Sequence, residues 1–174
     1  MDKARKVVLD VDTGNDDAVA IMMAALHPDI DLIGCTTVGG NLSIEETTDN
    51  TLRVLDHVGR SDVPVYRGLR KPFAPRPYPI APSPPIHEPT LPLPDPRSHA
   101  RKTPAVEWLI ETLRTTTEQI TLVPVAPLTN IAAALTVAPE IREAVAEIVI
   151  MGGGHAFGNR TVSAEFNIYY DPIA

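Results

Sequence analysis

Four aspartates, Asp10, Asp12, Asp16 and Asp17, fall within the stretch VVLDVDTGNDDAVA at residues 7–20. Carboxylates a few ångströms apart repel one another, so such a group either holds protons at neutral pH or surrounds a cation. We take the cation as the working expectation. Hard oxygen donors select Ca²⁺ or Mg²⁺, and the lack of a neighbouring Cys or His argues against zinc. An EF-hand loop is excluded, because the twelfth position counted from Asp10 is Ile21, where a bidentate Glu belongs. Helix capping explains one or two aspartates at a helix start, but not all four.

The elements around this stretch must position it. Val7, Val8 and Leu9 read as a buried parallel strand, with the four aspartates in the following loop and the first turn of a helix. Gly14 permits a tight turn, and Asp16 and Asp17 favour the positive end of the helix dipole. Asp17 to Leu26 is apolar almost all round, the pattern of a helix buried between a sheet and other elements. Asp31–Val38 is the second expected strand, ending in Gly39, Gly40 and Asn41. Ser43 and Glu46 form a capping box for a helix running to about Val58 and stopping at Gly59. Val63–Tyr66 is a third strand. Pro104 fits the first position of a helix whose apolar residues Val106, Leu109, Ile110 and Leu113 recur at helical spacing. Ile120–Val123 and Ile148–Met151 complete five strands, with helices expected at Leu128–Leu135 and Glu140–Ala146.

Alternation of strands and helices implies an α/β fold, a doubly wound, mostly parallel sheet with helices on both faces. Each unusual loop follows the C-terminal end of a strand. Parallel strands share a direction, so these loops converge on one sheet edge and make one site. Twelve of the eighteen prolines lie between Lys71 and Pro104. That density blocks helices and sheet ladders, so about 71–104 reads as an extended loop or flap within one domain spanning 1–174.

Composition narrows the function classes. Hydrophobic residues make up 44% of the 174 and charged residues 21%, ordinary globular usage. The net charge of -7, with no Lys/Arg stripe, argues against a nucleic-acid partner. Cys35 is single and lies in an apolar run, which points to core packing and a reducing compartment. No apolar leader follows MDKARK and no run is long enough for a membrane span, so a cytoplasmic protein without a membrane partner is expected.

The stretch DVDTGNDDAVA resembles the signature DxDxGxDDAxA of the inosine-uridine preferring nucleoside hydrolases. The resemblance continues through TTVGGN (36–41), PLTNIAAA (127–134) and MGGGHAFGNRTVSAEFN (151–167), in the family's order. It implies a nucleoside hydrolase of ribonucleoside salvage, which cuts the N-glycosidic bond of purine or pyrimidine ribonucleosides to ribose and free base. The resemblance makes Asp12, Asp17 and the backbone carbonyl of Val125 ligands of a Ca²⁺. It makes Asp16 the general base acting on the metal-bound water, and Asn41, Asn159, Glu165 and Asn167 partners of the ribose hydroxyls. Met151 and Phe166 then shape the pocket, and Asp10 is expected to hold neighbouring groups as an acceptor behind the ligands.

Taken singly, several of these residues have plainer readings. Asn41 alone is an ordinary turn residue. Glu165 and Asn167 around Phe166 would fit a loop with one anchored aromatic, and the run Gly152–Gly154 lacks both GxGxxG spacing and a P-loop lysine. His155 is expected to face solvent or serve structure. A histidine in the family's flap helps bind the ribose, but His87 is left outside the core site, because IHEPT lacks the glycines that usually follow it.

The resemblance also implies a further C-terminal region that supplies an aspartate ligand and a histidine to protonate the leaving base, so the sheet is expected to be truncated relative to the family. An edge exposed in this way favours association, a homo-oligomer being expected. Two other readings stay open at this point. One is a catalytically inactive fragment that binds Ca²⁺ or a ribosyl ligand, or that needs a partner chain to complete its site. The other is a phosphatase of the haloacid dehalogenase type, disfavoured because Gly14 stands where that motif needs Thr or Val.

Overall fold

The computed structural model describes residues 3–73 and 86–174. Five strands form one parallel sheet in the order β3-β2-β1-β4-β5. They are β1 (Arg5–Val11), β2 (Ile30–Thr37), β3 (Val65–Arg67), β4 (Ile120–Pro124) and β5 (Val145–Ile148). The helices are α1 (Asn15–Leu26), α2 (Ile44–His57), α3 (Ala105–Thr115), α4 (Thr129–Val137) and a short α5 (Phe166–Tyr170). Among the described residues no helix is long and apolar enough to cross a membrane.

Side chains alternate across β1 with the period of a strand, and the two core layers follow from that alternation. Val7, Leu9 and Val11 face one way and pack with Ile21, Ala24 and Ala25 of α1 and Val54 and Leu55 of α2. Val8 faces the other way, with Leu109 and Leu113 of α3, Ile131 and Ala134 of α4, and Ile141. The sheet is therefore covered on both faces, as the sequence implies. Cys35 is fully buried in the first layer.

β1 sits between β2 and β4. The chain winds outward from β1 through α1 and α2 to β3, then returns to the other side of β1 as β4. The crevice at the C-terminal ends of β1 and β4 is thus the point where the winding direction switches.

Several expectations are corrected. β1 extends to Val11, so Asp10 is a strand residue, not a loop residue, paired in register with Thr36 on one side and Pro124 on the other. α1 is not buried all round: Val19, Met23 and Leu26 are 55%, 66% and 61% exposed, because no described element lies over that face. Pro104 caps α3 from just outside instead of occupying its first turn. The segment expected as a helix from Glu140 is a 3-10 turn, Pro139–Ala144, and β5 begins at Val145, three residues before the expected start. Two further bonds, from Val149 N–H to the Leu122 carbonyl and from Met151 N–H to that of Pro124, carry the pairing on into the expected segment. The capping box of α2 forms as expected, with the Ser43 hydroxyl accepting from Glu46 N–H and Glu46 from Ser43 N–H. Gly59 then turns the chain with φ 74.

Part of the proline-rich stretch, 74–85, lies outside the described residues. From 86 to 104 the chain forms no helix and is strapped along α2. Asn50 receives Leu91 N–H and donates to the Pro89 carbonyl, Arg53 donates to the Leu93 carbonyl, and Asp56 receives the amides of Arg97 and Ser98. Those three residues recur every third position, on one face of the helix.

Candidate functional site

Period-two alternation places Asp10 on the Val8 side of β1, toward α4. There its Oδ1 accepts from Thr36 Oγ1 at 2.6 Å and from Asn130 Nδ2 at 2.8 Å. Asn130, fully buried in the first turn of α4, also donates to the Thr37 carbonyl and receives Leu69 N–H. One amide thus ties β1, β2 and the chain after β3 to Asp10. Burial pushes the Asp10 carboxyl up to about 7, against these two hydrogen bonds and with added repulsion from Asp17.

Asp12 and Asp17 lie beyond the strand end, 1% and 3% exposed. Asp17 caps its own helix, receiving Gly14 N–H at 3.1 Å and Asp12 N–H at 3.3 Å. The capping explanation therefore holds for this aspartate. Burial raises Asp17 to about 7, opposed by the Gly14 amide and reinforced by Asp16. Asp12 receives Asn41 N–H at 2.6 Å, and burial followed by repulsion from Asp17 holds its carboxyl well above the usual range. The loop Gly39–Asn41 reaches Asp12 only because residue 40 lacks a side chain: a Cβ there would stand 2.1 Å from Asp12 Oδ2.

Two buried oxygens in this cluster, Asp10 Oδ2 and Asp12 Oδ1, have no hydrogen-bond partner. A buried carboxylate oxygen without a donor is costly, and a proton or a cation relieves it. Among the described residues no three His, Cys, Asp or Glu side chains gather in a metal-holding arrangement. A cation here would therefore draw its remaining ligands from backbone carbonyls and other oxygens. The unpartnered Asp12 oxygen beside Asp17 fits a hard divalent ion on those terms.

The other predicted residues join this cluster through the backbone. Val125 N–H donates to the Asp10 carbonyl, and the Val125 carbonyl receives Asn167 Nδ2 at 3.2 Å. The same amide reaches the Met151 carbonyl at 3.1 Å. Glu165, 7% exposed, caps α5 by accepting from Asn167 and Ile168 amides and also receives Gly153 N–H. Asn159 Oδ1 receives Phe166 N–H at 2.8 Å, and Phe166 rests against Tyr170. The glycine run serves this packing: Gly153 has φ 78, and a Cβ on Gly152 would press on Ile168 and Glu165. Along one sheet edge, hydrogen bonds thus join Asp12 with Asp17 and Asn41, Asp10 with Val125, Asn167, Met151 and Glu165, and Asn159 with Phe166. Asp16 stands beside them on the first turn of α1 with its side chain 62% exposed.

One residue left outside the core site comes into it. His87 packs over Gly14, where a Cβ would stand 2.4 Å from its Nδ1. Nδ1 receives Asn15 N–H at 3.3 Å, and Nε2 lies 3.8 Å from Asp16 Oδ1. The signal in the sequence was the match to the family's flap histidine, set aside because the glycines after it are missing; the contact depends on how α2 straps the following residues. His155 is exposed, as expected. A surface depression lined by Thr116–Gln119, Glu143 and Ala144 lies where β4 and β5 begin, at the opposite sheet edge, and holds none of these groups.

Comparison with known proteins shows what the whole chain is similar to. Residues 7–174 match the family model described as inosine-uridine preferring nucleoside hydrolase. The chain is 47% identical to the pyrimidine-specific ribonucleoside hydrolase RihB of Escherichia coli (strain SE11), over 98% of this chain and 54% of that protein. Solved structures are similar as well. The purine-preferring ribonucleoside hydrolase from Gardnerella vaginalis is 34% identical with a TM-score of 0.84, over 97% of this chain and 55% of that one. An inosine-guanosine nucleoside hydrolase is 29% identical with a TM-score of 0.86, over 97% and 54%. The chain spans about half the length of the relatives it matches.

Proposed function

Because this chain belongs to the inosine-uridine preferring nucleoside hydrolase family, we propose that its carboxylate edge hydrolyses the N-glycosidic bond of ribonucleosides, giving ribose and free base. The observation that carries this reading is the buried, unpartnered Oδ1 of Asp12 beside Asp17, at the crevice where β1 and β4 part. In this reading Asp12, Asp17 and the Val125 carbonyl hold Ca²⁺. The ion supplies positive charge for the vicinal ribose hydroxyls and lowers the pKa of water.

The remaining work falls to the chain's own residues. Asp16, exposed and free to approach a ligand, accepts the proton of the attacking water. Its negative charge also favours the oxocarbenium-like sugar formed as the base departs. Asn41, Asn159, Glu165 and Asn167 bind the ribose hydroxyls. The polar atoms of Asn159, Glu165 and Asn167 are already oriented by backbone partners, so little of their side-chain freedom is lost on binding. Met151 and Phe166 supply apolar walls, and Asp10, fixed by Thr36 and Asn130, keeps the strand end rigid beneath the ligands. The relatives are named for pyrimidine and for purine nucleosides, so uridine, cytidine and inosine are the substrates to try.

The test is release of reducing sugar from these nucleosides in the presence of Ca²⁺, comparing the chain with Asp16→Asn. Release that falls by about 10²- to 10⁴-fold in the variant supports the reading. Equal rates, or no release by a chain that binds Ca²⁺, count against it.

A further inference from the structure

We infer that Asp171 is a positioning residue for Glu165 and Asn167, tying the far end of α5 back to the strand that carries Asp10; the inference rests on the proposed role of those two residues as ribose ligands. α5 has five residues, Phe166–Tyr170. A helix of that length is not stable by its own hydrogen bonds, so its orientation is set by what grips its ends. Glu165 grips the first end, accepting from the Asn167, Ile168 and Gly153 amides.

Asp171, the residue that ends the helix, grips the other. It is 3% exposed, and its Oδ2 accepts from Thr129 Oγ1 at 2.7 Å and from Phe73 N–H at 3.0 Å. Both are true hydrogen bonds, and a carboxylate acceptor makes them stronger than bonds between neutral groups. Thr129 opens α4 and is fully buried, and its neighbour Asn130 donates to the Asp10 carboxyl. Phe73 lies in the chain that follows β3. Asp171 thus joins the end of α5 to the start of α4 and to the chain beyond β3.

These contacts close a ring. From Asp10, one branch runs through its carbonyl to Val125 N–H, and from the Val125 carbonyl to Asn167 Nδ2. The other runs from the Asp10 carboxyl through Asn130 and its neighbour Thr129 to Asp171, and back along α5 to Asn167. Asn167 is therefore fixed to the aspartate strand from both sides, and ligands set in place beforehand lose less freedom when a substrate arrives. Without Asp171 the ring opens and only the Val125 branch is left. The second carboxylate oxygen, Asp171 Oδ1, is buried with no hydrogen-bond partner among the described residues. Only Oδ2 grips, so an asparagine offers Thr129 and Phe73 the same acceptor, with its amide nitrogen where Oδ1 stands. Positioning does not need the charge, whereas service as a cation ligand or as a base would.

The test uses that difference. In the ¹⁵N-asparagine-labelled chain, solvent exchange of the Asn167 and Asn50 side-chain amides is followed, each signal being identified by its loss in Asn167→Asp or Asn50→Asp. Asp171→Ala should quicken exchange at Asn167 by about tenfold or more, and Asp171→Asn should keep it within about threefold of wild type. Asn50, fully buried on α2 across the sheet, reports on the fold as a whole and should exchange as slowly as in wild type. Unchanged exchange at Asn167 in Asp171→Ala, or equal quickening at Asn50, overturns the proposal. Thr129→Val removes only the 2.7 Å bond and decides the matter should Asp171→Ala fail to fold. It should quicken Asn167 by about threefold or more, and no change overturns the proposal. With a nucleoside that the chain turns over, Asp171→Ala should lower kcat/KM by about tenfold or more, and Asp171→Asn should restore it to within about threefold. An asparagine variant as slow as the alanine variant makes the charge the requirement and overturns the proposal. Should wild type release no sugar, the hydrolysis reading fails, and the exchange rates alone decide whether Asp171 holds Asn167 in place.

Discussion

Raising the pH from 5 to 8 without divalent cation should destabilise this chain, and Ca²⁺ should abolish the effect. Asp10 and Asp17 are each pushed from 3.8 to about 7 in the folded state, both chiefly by burial. A folded-state value above the unfolded one means that the folded chain holds protons that the unfolded chain has released. The associated stability is fully present below about pH 4 and is lost as pH rises through about 7. At about 1.4 kcal/mol per pH unit, the loss between pH 5 and about 7 is about 2–3 kcal/mol for either group alone. For a chain of this size that corresponds to a fall in Tm of roughly 5–10 °C. Carboxylates that act in the opposite sense lie outside the window. Asp56, which burial pushes up but hydrogen bonds from Ser61, Ser98 and Arg97 bring down to about 2, loses its contribution only in stronger acid. The assay is thermal unfolding followed by circular dichroism at pH 5, 6, 7 and 8, with Ca²⁺ and with chelator. With chelator, Tm should fall across the series, and Asp10→Asn should flatten the fall. With Ca²⁺, the cation replaces the protons and Tm should stay nearly level. A Tm that rises from pH 5 to 8 under chelator, with no response to Ca²⁺, would show that these carboxyls hold no protons in the folded chain.

Gly40→Ala places a Cβ 2.1 Å from Asp12 Oδ2 and must displace a buried carboxylate. Calcium affinity should drop by about tenfold or more while far-ultraviolet dichroism stays native, and an unchanged affinity would show that Asp12 is not a ligand. Asn130→Ala removes the groups that meet Asp10 and the Thr37 carbonyl in the interior and the part-buried Leu69 N–H. It should cost about 2–4 kcal/mol in urea unfolding, and a loss below about 1 kcal/mol would show that the network is not what holds the strand ends.

What could be read from the sequence was what is decided locally. The Ser43 and Glu46 capping box, the stop at Gly59 and the strand-helix alternation depend on residues a few positions apart, and the structure has them where expected. Convergence of the loops on one edge followed from parallel strands alone. Asp10 was harder to place because a carboxylate inside a strand is tolerated only by partners far away in sequence, Thr36 and Asn130. The open face of α1 was hidden for a different reason: a helix apolar all round gives no periodicity from which to tell its covered side from its bare one. Val145 was missed because a 3-10 turn keeps helical composition up to the residue before the strand. His87 was set aside because IHEPT lacks the family's glycines, while its place depends on Asn50 gripping the chain at Pro89 and Leu91.

Whether the buried aspartates hold a cation is answered by isothermal titration of Ca²⁺ into the chain, alongside Asp12→Asn and Asp17→Asn. One site per chain in wild type, weakened by about a hundredfold or lost in both variants, is the predicted result. No binding by wild type, or equal binding by all three, would contradict it.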